Sequence, residues 1–165
     1  SFIFFGVVGS SQISSNLDKV ILVEAAKMME SFRSKDYDRF IAYTYPKLIE
    51  IAGGKEKMLI ELEKGLDKLK EQGISIDTVM FSKPNSIIEI NGELQTTLVE
   101  TLIMTIPQGK MASKSSLVCI STDRGATWFF VEASSKDLKE MQAMFPNLSN
   151  DLVIEKMGKP RVYKE

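Results

Sequence analysis

The sequence predicts an α+β domain in which N-terminal helices pack on one face of a curved, four- to five-stranded antiparallel sheet. Three observations carry that expectation. Apolar residues recur at three- and four-residue spacing up to Gln72. Beyond Gly73 the period switches to two. Two hairpin signals, Asn91-Gly92 and Asp123–Gly125, then punctuate the alternating region.

The elements follow in order. Leu17, Val20, Ile21, Ala25, Met28 and Phe32 predict a first helix, with Ser15 and Asp18 offering a capping-box-like start. A short helix after Asp36 carries Phe40 and Ile41 until Tyr45-Pro46 interrupts it. Pro46 suits the first turn of another short helix, which Gly53-Gly54 ends. From Lys55 to Gln72, Met58, Leu59, Leu62, Leu66 and Leu69 form one stripe. Gly65 interrupts that helix at a cost of about 1 kcal/mol against alanine, which points to a close helix or sheet contact there.

In residues 74–81, Ile74, Ile76, Thr78 and Met80 alternate with Ser75, Asp77, Val79 and Phe81. A short strand at 87–90 precedes Asn91-Gly92, and a long one runs from Glu93 to Ile106. Pro107–Lys110 turns the chain into a return strand, 111–121, and a last strand covers 127–132. Ser134 and Asp137 are placed to cap a helix bearing Leu138, Met141 and Phe145. Residues 156–165, with Lys156, Lys159, Arg161 and Lys164, read as a basic flexible tail.

The 165 residues suit one domain, assigned to 12–155. With 21 basic and 22 acidic residues there is no global field to hold nucleic acid or anionic lipid. Histidine is absent, which excludes His-activated nucleophiles and His-ligated metal sites. Cys119, the single cysteine, lies in an apolar run and reads as a buried structural thiol. No cofactor or metal is expected. Phe2–Val8 followed by Gly9-Ser10-Ser11 reads as the end of a secretory leader with a small-residue cleavage site. Residues 1–11 are therefore assigned to a leader remnant and the protein to an exported, periplasmic or extracellular location, as in a bacterial envelope. The competing reading is an N-terminal strand of the sheet. Phe2–Val8 is too short to span a bilayer, which takes about 20 apolar residues.

Ser121-Thr122-Asp123-Arg124-Gly125-Ala126-Thr127-Trp128 matches S-x-D-x-G-x-T-W at every fixed position. It resembles the Asp-box of sialidase-type propellers, a tight hairpin and not a catalytic motif. A propeller repeats its unit roughly every 40–50 residues. One copy removes the glycosidase reading. Asn147-Leu148-Ser149 fits a glycosylation acceptor, relevant only in a eukaryotic secretory route.

The element order, together with Asp36-Tyr37-Asp38-Arg39-Phe40, Tyr45-Pro46-Lys47-Leu48, Gly53-Gly54 and Gly125-Ala126-Thr127-Trp128, resembles the nuclear-transport-factor-two-like superfamily. This superfamily is also called cystatin-like and includes polyketide-cyclase-like and ketosteroid-isomerase-like domains. The resemblance spans roughly residues 17–132. It implies a cone-like fold with an apolar pocket between helices and a concave sheet. The superfamily hosts isomerases, dehydratases and hydrolases beside non-catalytic binding and dimerising domains. The histidines of its dehydratase and cyclase members are absent here. The aspartate and tyrosine of its isomerases have no assigned counterparts in this chain, so no catalytic role carries over.

Within the long strand, Leu94, Thr96, Leu98, Glu100, Leu102, Met104 and Ile106 share one face. Glu100 therefore stands in the middle of the more apolar side. A carboxylate there must be paired, hydrogen-bonded or neutralised by a raised pKa, which makes Glu100 a candidate general base or ligand anchor. A bulge or an open pocket would instead leave it solvated or paired with Arg33 or Arg39. Tyr37, Tyr43 and Tyr45 are candidate phenolic donors to the same pocket, against amphipathic packing as the plainer reading. Met104, with Met28, Met29, Met58 and Met111, could give an adaptable ligand surface or simply fill the core.

The expected function is an exported, non-catalytic binding or interaction domain with a partly apolar pocket. Its expected partners are a small apolar ligand and a second copy paired through the sheet. The alternative is a small isomerase, lyase or hydrolase using Glu100 with a tyrosine donor. A deep cavity holding Glu100 beside a tyrosine hydroxyl favours the enzyme, and a filled cone favours an interaction domain.

Overall fold

A computed structural model describes residues 10–164 of the chain. Four helices come first: α1 (Ser10–Arg33), α2 (Tyr37–Ala42), α3 (Pro46–Ile51) and α4 (Lys55–Glu71). Five strands follow as β1 (Ser75–Phe81), β2 (Ile88–Ile90), β3 (Glu93–Ile106), β4 (Gly109–Ser121) and β5 (Phe129–Glu132). Helix α5 (Leu138–Met144) and strand β6 (Arg161–Tyr163) follow them. The fold is α+β, with an open antiparallel sheet ordered β1-β3-β4-β5. Strand β2 pairs with β3, and β6 pairs with β4.

Helix α1 already runs from Ser10, ahead of the start predicted at Ser15 and Asp18. The turns before Ser15 supply carbonyl partners to its N–H groups, so no cap is needed there. Asp18 is buried and instead faces Lys83 Nζ at 3.7 Å. The apolar run Phe2–Val8 lies outside the described residues.

Asp36 caps α2 by accepting from the Arg39 N–H at 3.1 Å. Pro46 opens α3, and Gly53 and Gly54 end it with φ of +89° and +106°. Gly65 corrects an expectation. It faces solvent, with nothing within 4 Å of the place a Cβ would occupy, so it marks no close contact.

The β3–β4 hairpin holds register from Leu94↔Ser121 to Ile106↔Gly109. Asn91 and Gly92, at φ of +51° and +79°, form the tight turn that sets Ile90 against Glu93. Strand β1 does not keep the predicted alternation. A bulge between Ile76 and Thr78 moves Val79 and Phe81 onto the face of Ile76. Asp77, inside the bulge, accepts from Thr105 Oγ1 and Lys110 Nζ at 2.8 and 2.9 Å. Those bonds, led by Lys110, hold its carboxyl below the usual range.

The sheet carries a core on each side. On one face Ile21, Ala25, Met28 and Met29 of α1 pack on Leu98, Leu117, Cys119, Trp128 and Phe130. Burial of Cys119 pushes its thiol pKa far up, as suits an inert structural thiol. On the other face Val118, Ile120, Val131 and Ala133 meet Met141, Phe145, Leu148 and Leu152. A reciprocal capping box between Asp137 and Glu140 starts α5.

Beyond α5 the chain is strapped across the sheet by side chains. Thr97 Oγ1 donates to the Val153 carbonyl at 2.6 Å, and the Ser149 N–H donates to Gln95 Oε1 at 2.9 Å. Part of the segment read as a flexible tail forms β6, pairing Arg161–Tyr163 with Lys110–Ala112. The cause is an open edge. Strand β5 covers only Leu117–Ile120 of β4, which leaves the start of β4 unpaired on that side.

Candidate functional site

The Ser121–Trp128 hairpin is structural. Asp123 Oδ1 accepts from Ser121 Oγ and the Thr127 N–H at 2.8 and 2.9 Å, while its Oδ2 accepts from Thr127 Oγ1 at 2.6 Å. The bonds from Thr127 foremost hold the Asp123 carboxyl below its ordinary range. Trp128 Nε1 donates to the Gly125 carbonyl at 3.1 Å, and the indole is 1% exposed. Asp123 is thereby used up within its own turn.

The cavity lies on the same face of the sheet, further along. A chamber of about 300 Å³ opens between the helices and the strands. Met28 and Met29 of α1, Phe40 of α2 and Met58 of α4 line it from above, and Leu102, Leu117 and Phe130 from the sheet. A second chamber of about 310 Å³ shares the walls formed by Met29, Phe32 and Ile76. It extends towards Leu66 and Leu69 of α4 and includes Tyr37. The short helices and the β1 bulge make this space possible. Neither α2 nor α3 is long enough to bring a full apolar stripe onto the sheet, and the bulge turns Val79 and Phe81 inward.

Glu100 stands in the first chamber, on the face that strict alternation along β3 assigns it. Burial pushes its carboxyl up to about 7, and the nearby Glu132 carboxylate adds to the rise. Among the described residues no hydrogen bond or ion pair reaches it. Arg33 pairs with Glu30 at 3.3 Å, so it does not serve as the partner considered for Glu100. Ser115 sits directly across from Glu100 in β4, buried on the same face. Glu132, at the end of β5, also lines the chamber and is otherwise exposed. Glu100 and Glu132 are the only titratable groups in its lining among the described residues.

The structure separates the tyrosine candidates. Tyr37 belongs to the neighbouring chamber. Tyr43 is half-buried against Phe130, with ring centroids 6.5 Å apart, and lines neither chamber. Tyr45 lies on the opposite face, because the chain crosses the β5 edge where Thr44 bridges Phe130. Its hydroxyl donates to Glu93 Oε1 at 3.4 Å and accepts from Asn147 Nδ2 at 3.0 Å. Asn147 Nδ2 also donates to Glu93 Oε2 at 2.7 Å, and Gln95 Nε2 donates to the same oxygen at 2.8 Å. That closed network ties the far-side strap to the sheet and commits the Asn147 amide that the glycosylation pattern singles out. Met104 is buried on the Glu100 face, opposite Met111, but does not line the chamber.

Sequence reasoning passed over Glu132. Its signal was available: Trp128, Phe130 and Glu132 alternate, so Glu132 shares the face of two large aromatics. Among the described residues no three His, Cys, Asp or Glu side chains stand together as a metal site. Nor is any described helix long and apolar enough to cross a membrane. No family model, curated protein or solved structure matches the chain.

Proposed function

We propose that this is an exported binding domain whose chamber around Glu100 takes a small, mostly apolar ligand. One observation carries the reading. A cavity of about 300 Å³, walled by methionine, leucine and phenylalanine, holds a carboxyl group with no protein partner among the described residues. Binding pockets have this make-up, predominantly apolar with a few polar groups that fix orientation. The cone-like pocket implied by the resemblance to the nuclear-transport-factor-two-like superfamily supports the same reading, as does the leader-like run Phe2–Val8 for export. A homodimer through the sheet would use the part of the far face that the strap leaves bare, around Met80 (50% exposed) and Val99.

The alternative, an isomerase, lyase or hydrolase, is favoured by one feature, the near-neutral titration of Glu100. It lacks the tyrosine donor that was expected beside Glu100, because no tyrosine lines the Glu100 chamber among the described residues.

Nile red, a neutral apolar dye, tests the reading. Titrated into the protein, it is expected to bind saturably with blue-shifted emission. Leu102→Trp, which places an indole in the chamber, is expected to weaken binding at least about tenfold, since 1.4 kcal/mol is tenfold in affinity. Its circular dichroism should be unchanged. Undiminished dye binding by a folded Leu102→Trp variant contradicts a ligand site at this chamber.

A further inference from the structure

Resting on the pocket reading above, we propose that the ligand carries a protonated amine on an apolar body, the ammonium lodging between Glu100 and Glu132 against aromatic faces. Three features of the chamber agree. Its lining supplies two carboxyl groups and no cation among the described residues. The rings of Phe32, Phe40 and Phe130 border the same space, with Phe32 and Phe40 tilted at 56° and 5.2 Å between centroids. Aromatic rings beside carboxylates suit an ammonium and disfavour an anion. The rest of the wall is apolar and offers nothing to a second polar group on the ligand beyond the Thr44 hydroxyl.

The placement also follows from sheet register. Glu100 pairs across β3–β4 with Ser115, and Glu132 pairs across β4–β5 with Leu117, two residues further along β4. All four side chains therefore share one face, with Glu100 inside and Glu132 at the exposed margin. A ligand entering past Glu132 would bring its head group towards Glu100 and lay its apolar part against Met28, Met29 and Leu102.

The pH dependence has a definite sign. The groups lining the chamber from α1, α2, α3 and α4 are uncharged, and from β5 only Glu132 is charged. In the adjoining chamber Arg33, Lys35 and Asp77 are charged. Arg33 is paired with Glu30 and Asp77 with Lys110. An alkylammonium, with a pKa near that of lysine, about 10.4, stays charged throughout the range below pH 9. Binding therefore strengthens as Glu100 loses its proton and weakens as pH falls below about 7.

Calorimetric titration of the whole protein with n-octylamine and n-octanol separates the two levels of the proposal. At pH 8 the amine is expected to bind at least about tenfold tighter than the alcohol, the scale of a one-unit change in a coupled pKa. At pH 5 that advantage should shrink by at least about tenfold. Glu100→Gln should abolish it, and Glu132→Gln should reduce it. Equal binding of amine and alcohol at pH 8 overturns the amine assignment and leaves the apolar pocket standing. Binding of neither overturns both. An amine advantage that survives in Glu100→Gln and Glu132→Gln places the cation elsewhere and also overturns the assignment.

Discussion

Replacing Trp128 with alanine is expected to destabilise the domain by about 3–5 kcal/mol, the range for deleting a fully buried large aromatic. The indole is 1% exposed in the core beneath α1, and its Nε1 closes the turn onto the Gly125 carbonyl. The turn cannot easily move to fill the hole. Arg124 and Gly125 both hold positive φ, and a Cβ on Gly125 would overlap Leu17 Cδ2 of α1. Two bonds from Thr127 and one from Ser121 fix Asp123 in the same hairpin. Against a typical domain stability of about 5–15 kcal/mol, such a loss removes a large share of the total. Urea unfolding of Trp128→Ala and Trp128→Phe measures it. Phenylalanine should recover most of the packing and lose only the N–H bond, about 1–2 kcal/mol. A loss below about 1 kcal/mol for the alanine variant would show that the hairpin is not anchored through the indole.

The second large effect concerns Glu100. Its folded-state carboxyl titrates at about 7 against an ordinary 4.5, so the folded protein holds a proton that the unfolded chain has released. Stability then falls as pH rises from about 4.5 to about 7 and stays lower above that. At about 1.4 kcal/mol for each tenfold, the full difference is on the order of 3 kcal/mol. Glu100→Gln keeps the shape and removes the ionisable group. It is expected to be more stable than the parent at pH 8 by up to that amount and nearly equal to it at pH 4.5. Unfolding curves at both pH values check this. A glutamine variant that is destabilised equally at both would mean that the carboxylate has a partner in the folded protein.

Most of the fold was legible because it is written in local chemistry. The switch of period after Gly73, the Asn91-Gly92 turn and the Asp137 cap each depend on a few neighbouring residues, and each forms where the sequence places it. Glu100 was legible for the same reason, since β3 pairs with β4 without interruption and keeps its alternation. The bulge in β1 was not. It depends on how Ser75–Phe81 registers against Glu100–Thr105, a long-range pairing that leaves no mark in the alternating pattern of β1 itself.

The far-side strap was hidden likewise, because its anchors Gln95, Thr97 and Ser116 bond to backbone groups tens of residues away. These polar side chains looked like ordinary strand residues. The crossing of the chain at Thr44 put Tyr43 and Tyr45 on opposite faces, which sequence proximity had suggested to be one cluster. Glu132 escaped notice because a four-residue strand gives too short a run for alternation to stand out.

Carbon-13 NMR titration of the glutamate side-chain carboxyls decides whether Glu100 is an unpaired carboxyl in an apolar cavity. The Glu100 resonance is assigned by its loss in Glu100→Gln. The midpoint of that resonance in the ligand-free protein is expected at about 7. A midpoint near the ordinary 4.5 would mean a solvated or paired carboxylate, and it would contradict the site.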